Sequence, residues 1–397
     1  MAVTTIEQPT DAPEPRPAPE VTPYPWRRGL LWAGLAYLLS RAAVLAGAGA
    51  ASAAERPRPA SGLGPIVEVL TSWDGLWYFE VVRTGYPRHI PPDVTFNDLE
   101  ARAAFFPLYP RLVWVLDKVL PGGDVVAGLA LNFVLGAVFI LLVGLMTRQL
   151  FGTKVASRAM VLTALFPGSF VLSFAYSEAL MLVLVAGCLL LLMQRRWLLA
   201  GILAGLATAS RPNAIAIVAA CVAAAVVAIV ERREWKSLLA PLLAPIGWIS
   251  FQLFLAHQTG ERDAWFRVQR EAWEEGTSFG LRAVKDIGNA IAHPWNSPKA
   301  VLTLLCVAAM LFGLWAMWKR RLPLPVTVYT LGILALMLLP QTVTARPRFL
   351  FTAFPLLIAI AAIWPDRDDE LWPLLTAACG AGLAAVTALY GVFGAIP

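Results

Sequence analysis

The sequence has few charged residues for its length. Of its 397 residues, 15% are Asp, Glu, Lys or Arg and 58% are apolar, whereas a water-soluble domain carries about a quarter charged residues. The apolar residues fall in runs long enough to cross roughly 30 Å of hydrocarbon. This composition excludes an ordinary soluble globular protein and predicts an all-α polytopic membrane protein.

Cysteine and histidine are also scarce. The four cysteines lie one to a hydrophobic run without paired spacing, so we interpret each as a small buried apolar residue. The three histidines have no ligand spacing on any one helix, which argues against a zinc site.

The net charge of +6 is spread along the chain in short basic clusters that separate the hydrophobic runs. Basic residues in such loops orient a membrane protein. The expected partners are therefore membrane lipids, and no nucleic acid is predicted.

Residues 1–25 contain seven prolines and almost no large apolar side chains. Such a segment cannot bury enough surface to fold, so we predict a disordered cytosolic tail without the pattern of a signal peptide. The transmembrane domain is predicted over residues 26–397. It has eleven crossings, near 29–53, 125–147, 158–174, 177–194, 198–210, 212–230, 238–256, 300–318, 323–341, 347–364 and 371–394.

Two parts of this division are less regular. Residues 198–210 are short for a crossing and are expected to be tilted or broken. Residues 103–120 are apolar but contain prolines and charges, so we predict an interfacial helix there.

The positive-inside rule places the N-terminus in the cytosol, because most short basic loops then lie inside. Two long segments, residues 54–124 and 257–299, face the exterior in this arrangement. Both mix aromatic and charged residues, as helices in the membrane interface do. The acidic loop 366–370 is placed inside, although acidic residues count little in this rule.

The segment Ser72–Tyr78 contains a lone carboxylate, Asp74, among Trp73, Trp77 and Tyr78. Apolar surroundings tend to raise the pKa of a carboxyl group, which suits it to proton abstraction. The alternative is that Asp74 caps the helix that follows it. The two interpretations are compatible.

Further polar residues lie at the outer ends of the crossings. Glu178 follows Tyr176 at the start of the fourth crossing, and an acid in an apolar run normally has a partner. Its candidate partners are Arg211 and the pair Arg346 and Arg348. Two arginines suit a phosphate at the membrane surface, and a structural ion pair is the alternative.

Two aromatic stretches remain ambiguous at this level. Asp263, Gln269 and Trp273 share one face of an amphipathic helix, which indicates either membrane anchoring or a sugar platform. The stretch around Tyr109, between two prolines, is typical of interfacial anchoring. All these residues map to the outer side, and we see no internal repeat of the kind many transporters have. The pattern favours an enzyme acting at the outer leaflet on a lipid-linked phosphate.

These motifs together resemble the PIG-V family, the second mannosyltransferase of GPI-anchor assembly, and its bacterial relatives of GT-C architecture. The resemblance runs in order over roughly residues 26–365. It rests on Trp73-Asp74 with Gly85-Tyr86, Phe105 to Pro110, Phe166-Pro167 with Tyr176 to Glu178, Leu206 to Asn213, Trp265-Phe266 with Gln269 and Trp273, and Arg346 to Phe349.

The resemblance implies a GT-C-type fold with interfacial helices in the first outer loop. It also implies inverting transfer of mannose from polyprenyl-phosphate mannose to a lipid, glycan or protein acceptor. Asp74 matches the general base, and Arg346 and Arg348 are expected at the donor phosphate. The substrate-binding candidates are Trp73, Trp77, Tyr109, Tyr176, Glu178, Arg211, Asn213, Gln269 and Trp273.

No Asp-x-Asp motif lies near Asp74, so a divalent metal is not indicated. The expected location is the plasma membrane, with the active site on the extracytoplasmic side. The alternatives are a GT-C enzyme that uses another polyprenyl-phosphate sugar, such as arabinose or glucose, and a non-enzymatic lipid carrier or transporter.

Overall fold

The computed structural model describes residues 24–54, 64–341, 347–365 and 371–392. Within these ranges the regular structure is helical, apart from one isolated antiparallel bridge between Thr277 and Pro340. The prediction of an all-α protein is confirmed. Residues 1–23 of the predicted tail and the acidic loop 366–370 lie outside the described residues.

The helices follow one another with short connections. The first part of the chain forms α1 (Trp26–Ala54), α2 (Pro65–Leu70), α3 (Asp74–Thr84), α4 (Leu108–Asp117), α5 (Gly123–Phe151) and α6 (Thr153–Leu165). The middle forms α7 (Glu178–Met193), α8 (Trp197–Thr208), α9 (Ala216–Arg232), α10 (Leu239–Leu243), α11 (Ile246–Thr259), α12 (Ala264–Glu271) and α13 (Leu281–Ala292). The last part forms α14 (Pro298–Arg320), α15 (Leu324–Leu338), α16 (Pro347–Thr352), α17 (Pro355–Ile363) and α18 (Leu371–Gly391). In the described ranges, four 3-10 helices lie between them, at Leu99–Ala104, Pro167–Leu172, Pro212–Ile215 and Trp235–Leu238.

Six helical segments in the described part of the chain are long and apolar enough to cross a membrane. They are Trp26–Ala54, Gly123–Phe151, Pro212–Arg232, Trp235–Thr259, Pro298–Arg320 and Leu371–Gly391. Each coincides with one of the eleven predicted crossings. This agreement gives the chain the character of a membrane protein.

The other five predicted crossings are also helical, but their helices are shorter or interrupted, as the sequence predicted for residues 198–210. Prolines cause two of the breaks, because a proline lacks the N–H that continues a helix. Pro167 ends the run that begins with α6, and Pro355 separates α16 from α17. The predicted crossing at 198–210 is α8, whose 12 residues span about 18 Å.

In the described part of the segments predicted to face the exterior, the helices that lie wholly inside them are short. In the stretch 103–120, α4 has 10 residues and a length of about 15 Å, too short for a crossing. This confirms the prediction that the stretch is not a twelfth span. In the second segment, α12 and α13 have 8 and 12 residues.

The helices pack around the broken segment that follows α6. The first helix α1 contacts α6 and α18, α5 contacts α6 and α7, and α9 contacts α15. The 3-10 helix Pro167–Leu172 packs against α16 with almost no space between the backbones. A Cβ on Gly168 would lie 2.1 Å from the carbonyl oxygen of Pro347. Glycine at this position therefore lets α16 approach and places Arg348, the next residue, in the interior.

Candidate active site

Two acids and two arginines from four separate parts of the chain meet in one place. Asp74 is the first residue of α3, and Glu178 is the first residue of α7. Arg211 precedes the 3-10 helix Pro212–Ile215, and Arg348 is the second residue of α16. We call these four residues the ionic quartet. All four stand at the beginning of a helix, where the chain turns.

The two arginines bridge the two acids. Glu178 Oε1 accepts a hydrogen bond from Arg348 Nε, and Glu178 Oε2 accepts one from Arg211 Nη1 at 2.7 Å. Asp74 Oδ2 accepts from Arg348 Nη2 and, at 3.5 Å, from Arg211 Nη2. The structure thus brings together the partners that the sequence proposed for Glu178.

Asp74 does not cap α3, so that alternative is not supported. The N-cap position belongs to Trp73, which has φ 59° and ψ −121° and makes no side-chain cap bond. A non-glycine residue rarely adopts this conformation, and such strain is typical of functional sites. The Trp73 indole donates to the carbonyl oxygen of Tyr390 at 3.2 Å, which fixes the residue against α18.

The electrostatics of Asp74 differ from the sequence prediction. Burial raises the pKa of its carboxyl group, as predicted, but the positive charges of Arg348 and Arg211 outweigh this effect. The net pKa lies below the ordinary 3.8. The prediction of a raised pKa is wrong, because sequence spacing did not show that both guanidinium groups reach this carboxylate.

Sequence reasoning assigned no role to Tyr78 or Ser177, although both lie within the motifs quoted above. The Tyr78 hydroxyl hydrogen-bonds with Ser177 Oγ, which also accepts from Arg211 Nη1 at 3.2 Å. Burial raises the pKa of Tyr78 to about 12. This neutral tyrosine therefore extends the hydrogen-bonded network from the quartet into α3.

Tyr176 and Tyr109, both predicted to bind substrate, are fully buried beside this network. The Arg348 guanidinium lies 4.6 Å from the centre of the Tyr176 ring. The Tyr109 ring lies 5.0 Å from that of Tyr78. Among the described residues, the Tyr176 hydroxyl has no hydrogen-bond partner, whereas the Tyr109 hydroxyl lies beside the Asn132 side chain. Asn132, which the sequence did not indicate, donates to the Tyr176 carbonyl oxygen at 2.8 Å and holds that turn in place.

The two segments predicted to share the outer face pack against each other. Trp273 Nε1 donates to the carbonyl oxygen of Ala101 at 3.1 Å, and Trp265 Nε1 donates to that of Ala104 at 3.1 Å. The Trp273 ring also lies 5.7 Å from the ring of Trp77. These contacts place Trp77 and Trp273, two of the three tryptophans predicted at the site, in one aromatic cluster with Phe96 and Phe105.

The remaining candidates are less closely connected to the quartet. Asn213 follows Arg211 by two residues, and its Oδ1 is buried without a partner in the described part of the chain. Gln269 is half-buried on α12, where the structure gives its side chain no hydrogen bond to the quartet. Asp263 is exposed and pairs with Arg270 at 3.5 Å. Arg346 lies outside the described residues.

The residues described do not contain a group of three or more His, Cys, Asp or Glu side chains arranged for a metal ion. Both carboxylates of the quartet are paired with arginines instead. The expectation that no divalent metal takes part stays a prediction.

Comparison with known proteins gives one match to a family model, described as dolichyl-phosphate-mannose-protein mannosyltransferase, over residues 107–257. The matched region is under half of the chain. It contains Tyr109, Glu178 and Arg211 but neither Asp74 nor Arg348. No curated protein matches the sequence.

Solved structures of two enzymes are similar at low identity. The Archaeoglobus fulgidus oligosaccharyltransferase, tethered with an acceptor peptide, is 14% identical over 92% of this chain, with a TM-score of 0.44. The present chain spans 55% of the length of that protein. ArnT from Cupriavidus metallidurans, bound to undecaprenyl phosphate, is 12% identical over 91% of this chain and 76% of its own, with a TM-score of 0.49. The family match and the all-helical membrane architecture agree with the GT-C-type glycosyltransferase fold that the sequence resemblance implied.

Proposed function

We propose that this protein is a GT-C-type membrane glycosyltransferase that transfers mannose from polyprenyl-phosphate mannose to a lipid, glycan or protein acceptor. The family match over residues 107–257 and the ordered PIG-V-like motifs support this proposal. The acceptor hydroxyl loses its proton to Asp74. We place the reaction at the extracytoplasmic face of the plasma membrane, with the N-terminus in the cytosol.

The environment of Asp74 is the observation that carries the proposal. Two arginines hold its Oδ2, whereas its Oδ1 accepts no hydrogen bond from the described residues. The side chain is 19% exposed, and in this proposal the acceptor reaches it from that exposed side. An oriented carboxylate that stays ionised and has one free oxygen is suited to act as a general base.

The transfer then proceeds in one displacement. The acceptor oxygen attacks the anomeric carbon while its proton passes to Asp74 Oδ1. The bond between the anomeric carbon and the phosphate oxygen breaks, and its electron pair leaves with the polyprenyl phosphate. Attack from the face opposite the phosphate inverts the anomeric centre. Arg348, with Arg346, stabilises the charge that develops on the departing phosphate.

The other site residues take supporting roles in this proposal. The partly buried rings of Trp73, Trp77 and Trp273 line the substrate site in this proposal, and the fully buried Tyr109 and Tyr176 support it from within the core. Glu178, Arg211, Asn213 and Gln269 hold the site together or contact the acceptor. No metal cofactor is required, because the arginines supply the positive charge.

The test is transfer of radiolabelled mannose from synthetic polyprenyl-phosphate mannose into membrane extracts that contain native acceptors. We expect the Asp74→Asn protein to lose on the order of 10²–10⁴-fold in rate, the usual contribution of a positioned base. Asp263→Asn, at an exposed acid of the second outer segment, is the matched control and should retain activity. Both variants are compared at equal expression.

Transfer at the wild-type rate by Asp74→Asn would reject Asp74 as the base. Parallel reactions with polyprenyl-phosphate glucose and arabinose identify the sugar. If the wild-type protein transfers none of these sugars to any fraction of the extract, the proposed activity is wrong.

A further inference from the structure

The four members of the ionic quartet differ in their access to solvent. The Asp74 side chain is 19% exposed, compared with 10% for Arg211, 3% for Arg348 and 1% for Glu178. Asp74 is thus the most exposed member, and its Oδ2 occupies one donor of each guanidinium group. An anion that enters from the exposed side would compete with this carboxylate for those donors.

The contacts of the two acids are also unequal. Glu178 gives each arginine its own carboxylate oxygen, and both contacts are buried. Asp74 offers one oxygen to both arginines, and its distance to Arg211 Nη2 is 3.5 Å, the outer limit of a hydrogen bond. Arg211 Nε, which is buried, has no hydrogen-bond partner among the described residues. The arginine pair therefore retains unused donor capacity on the side of Asp74.

A phosphate group could use this capacity better than a single carboxylate oxygen does. Guanidinium groups bind phosphate through two parallel hydrogen bonds, and a phosphate offers several oxygens to two such groups. The quartet holds two positive and two negative charges. A bound phosphate would add negative charge to a balanced set, which favours release of the more loosely held carboxylate.

We propose that the phosphate of the lipid-linked donor binds Arg348 and Arg211 by displacing the Asp74 carboxylate, so that donor binding itself frees the base. This inference rests on the proposed function and adds an order of events to it. Before the donor arrives, Asp74 is held by both arginines. Once the phosphate takes its place, the carboxylate turns to the acceptor hydroxyl, while Glu178 keeps the arginines in position.

The charges around Asp74 give this exchange a chemical consequence. The titratable groups that face it are Arg348, Arg211, Glu178 and the hydroxyls of Tyr78 and Tyr176. The two arginines alone hold the pKa of Asp74 down against its burial. When their charge is shared with a phosphate, burial dominates and the carboxylate becomes a stronger base.

The test is the affinity of the full-length protein, in lipid nanodiscs, for farnesyl phosphate, which carries the phosphate but no sugar. If Asp74 competes with the phosphate, Asp74→Asn should bind farnesyl phosphate more tightly, by on the order of tenfold. The reason is that the phosphate no longer has to break the charged hydrogen bonds between Asp74 and the two arginines. Asp74→Ala is measured in parallel, because it removes the carboxylate without adding an amide.

Two controls separate this effect from general electrostatics and from the lipid chain. Glu80→Gln removes the same charge from the same helix, α3, and the structure gives the Glu80 side chain no ion pair with an arginine of the quartet. The affinity of Glu80→Gln for farnesyl phosphate should match that of the wild-type protein. Farnesol, which lacks the phosphate, should bind all four proteins equally.

Equal or weaker binding of farnesyl phosphate by both Asp74 variants would overturn the displacement while leaving the proposed function intact. Equal tightening by Glu80→Gln would also overturn it, because the effect would then be long-range. If the wild-type protein and both Asp74 variants bind farnesol as well as farnesyl phosphate, no phosphate site exists, and the proposed donor fails with the inference.

Discussion

Glu178 contacts both arginines of the quartet, with Oε1 on Arg348 Nε and Oε2 on Arg211 Nη1. A single buried carboxylate thus sets the distance between two guanidinium groups that lie 137 residues apart in sequence. Because both of its oxygens are occupied, Glu178 is better suited to position the arginines than to accept a proton. This arrangement favours a structural role for Glu178, which the sequence had left open beside substrate binding.

The two acids should therefore differ in their contribution to stability. Glu178→Gln removes the charge that balances two buried arginines, and breaking a buried pair costs about 3–5 kcal/mol. Asp74→Asn, at the more exposed position, should cost less. Thermal unfolding of both variants in the same detergent tests this order. A larger loss of stability for Asp74→Asn would contradict the positioning role of Glu178.

The pH dependence of transfer should reflect the lowered pKa of Asp74. The pKa of Asp74 in the folded protein lies below the ordinary 3.8, so the carboxylate is fully charged above that pH. Its charge, and the stability that the charge contributes, are lost only as the pH falls through the lowered pKa of the folded state. The profile of kcat/KM, which reports the free enzyme, should therefore show no acid limb from Asp74 between about pH 5 and pH 7.

Removal of one arginine should shift the acid limb of the kcat/KM profile, which is the pH range in which Asp74 becomes protonated. In Arg211→Met the burial of Asp74 remains while one lowering charge is lost, so the acid limb should move to higher pH. The control is Arg270→Met, at an exposed arginine of α12, which should leave the kcat/KM profile unchanged. An unchanged profile in Arg211→Met would show that Arg211 does not act on the base.

Two neighbouring tyrosines offer a matched test of the network. Tyr78→Phe removes the hydrogen bond to Ser177 and should cost about 1 kcal/mol in unfolding free energy. Tyr176→Phe removes a buried hydroxyl that has no hydrogen-bond partner among the described residues, so its stability should be unchanged or raised. Denaturant unfolding of both variants measures the difference. A greater cost at Tyr176 would show that its hydroxyl is bonded in the membrane-embedded protein.

The docking of the two outer segments should depend on Trp273. Its ring packs against Trp77, Phe96 and Phe105, and its indole donates to Ala101. Trp273→Ala should expose residues 257–299 to limited proteolysis, because a packed aromatic side chain contributes about 3–5 kcal/mol. The control is Phe279→Ala, at a ring of the same segment that is 81% exposed. Equal cleavage of both variants would contradict the docking.

The predicted orientation can be tested by labelling. Arg270→Cys, at an exposed position of α12, should react with a membrane-impermeant reagent in intact cells. Lys236→Cys, in the exposed connection before α10, should react only after permeabilisation. The wild-type protein gives the background from its own four cysteines. Reaction of Lys236→Cys in intact cells would reverse the assignment of sides.

Local features of the sequence predicted the helices well but their lengths poorly. Within the described residues all eleven apolar runs are helical, because each contains enough apolar surface to leave water. Five of them fall short of a full span, two of these because Pro167 and Pro355 interrupt helices that the hydropathy alone would continue. Hydropathy indicates whether a segment prefers the membrane or water. The continuity of a helix depends instead on the backbone N–H group of each residue, which proline lacks.

The sequence by itself determined that this is a helical membrane protein with a set of unusual polar residues, which are Asp74, Glu178, Arg211, Asp263, Gln269, Arg346 and Arg348. A charged side chain in an apolar context is costly and needs a partner, and this holds whatever the fold. Only the tertiary structure decided which charges meet, how two arginines lower the pKa of Asp74, and that Glu178 is the inner acid. Those properties depend on distances between helix ends far apart in the chain, and no local pattern encodes such distances.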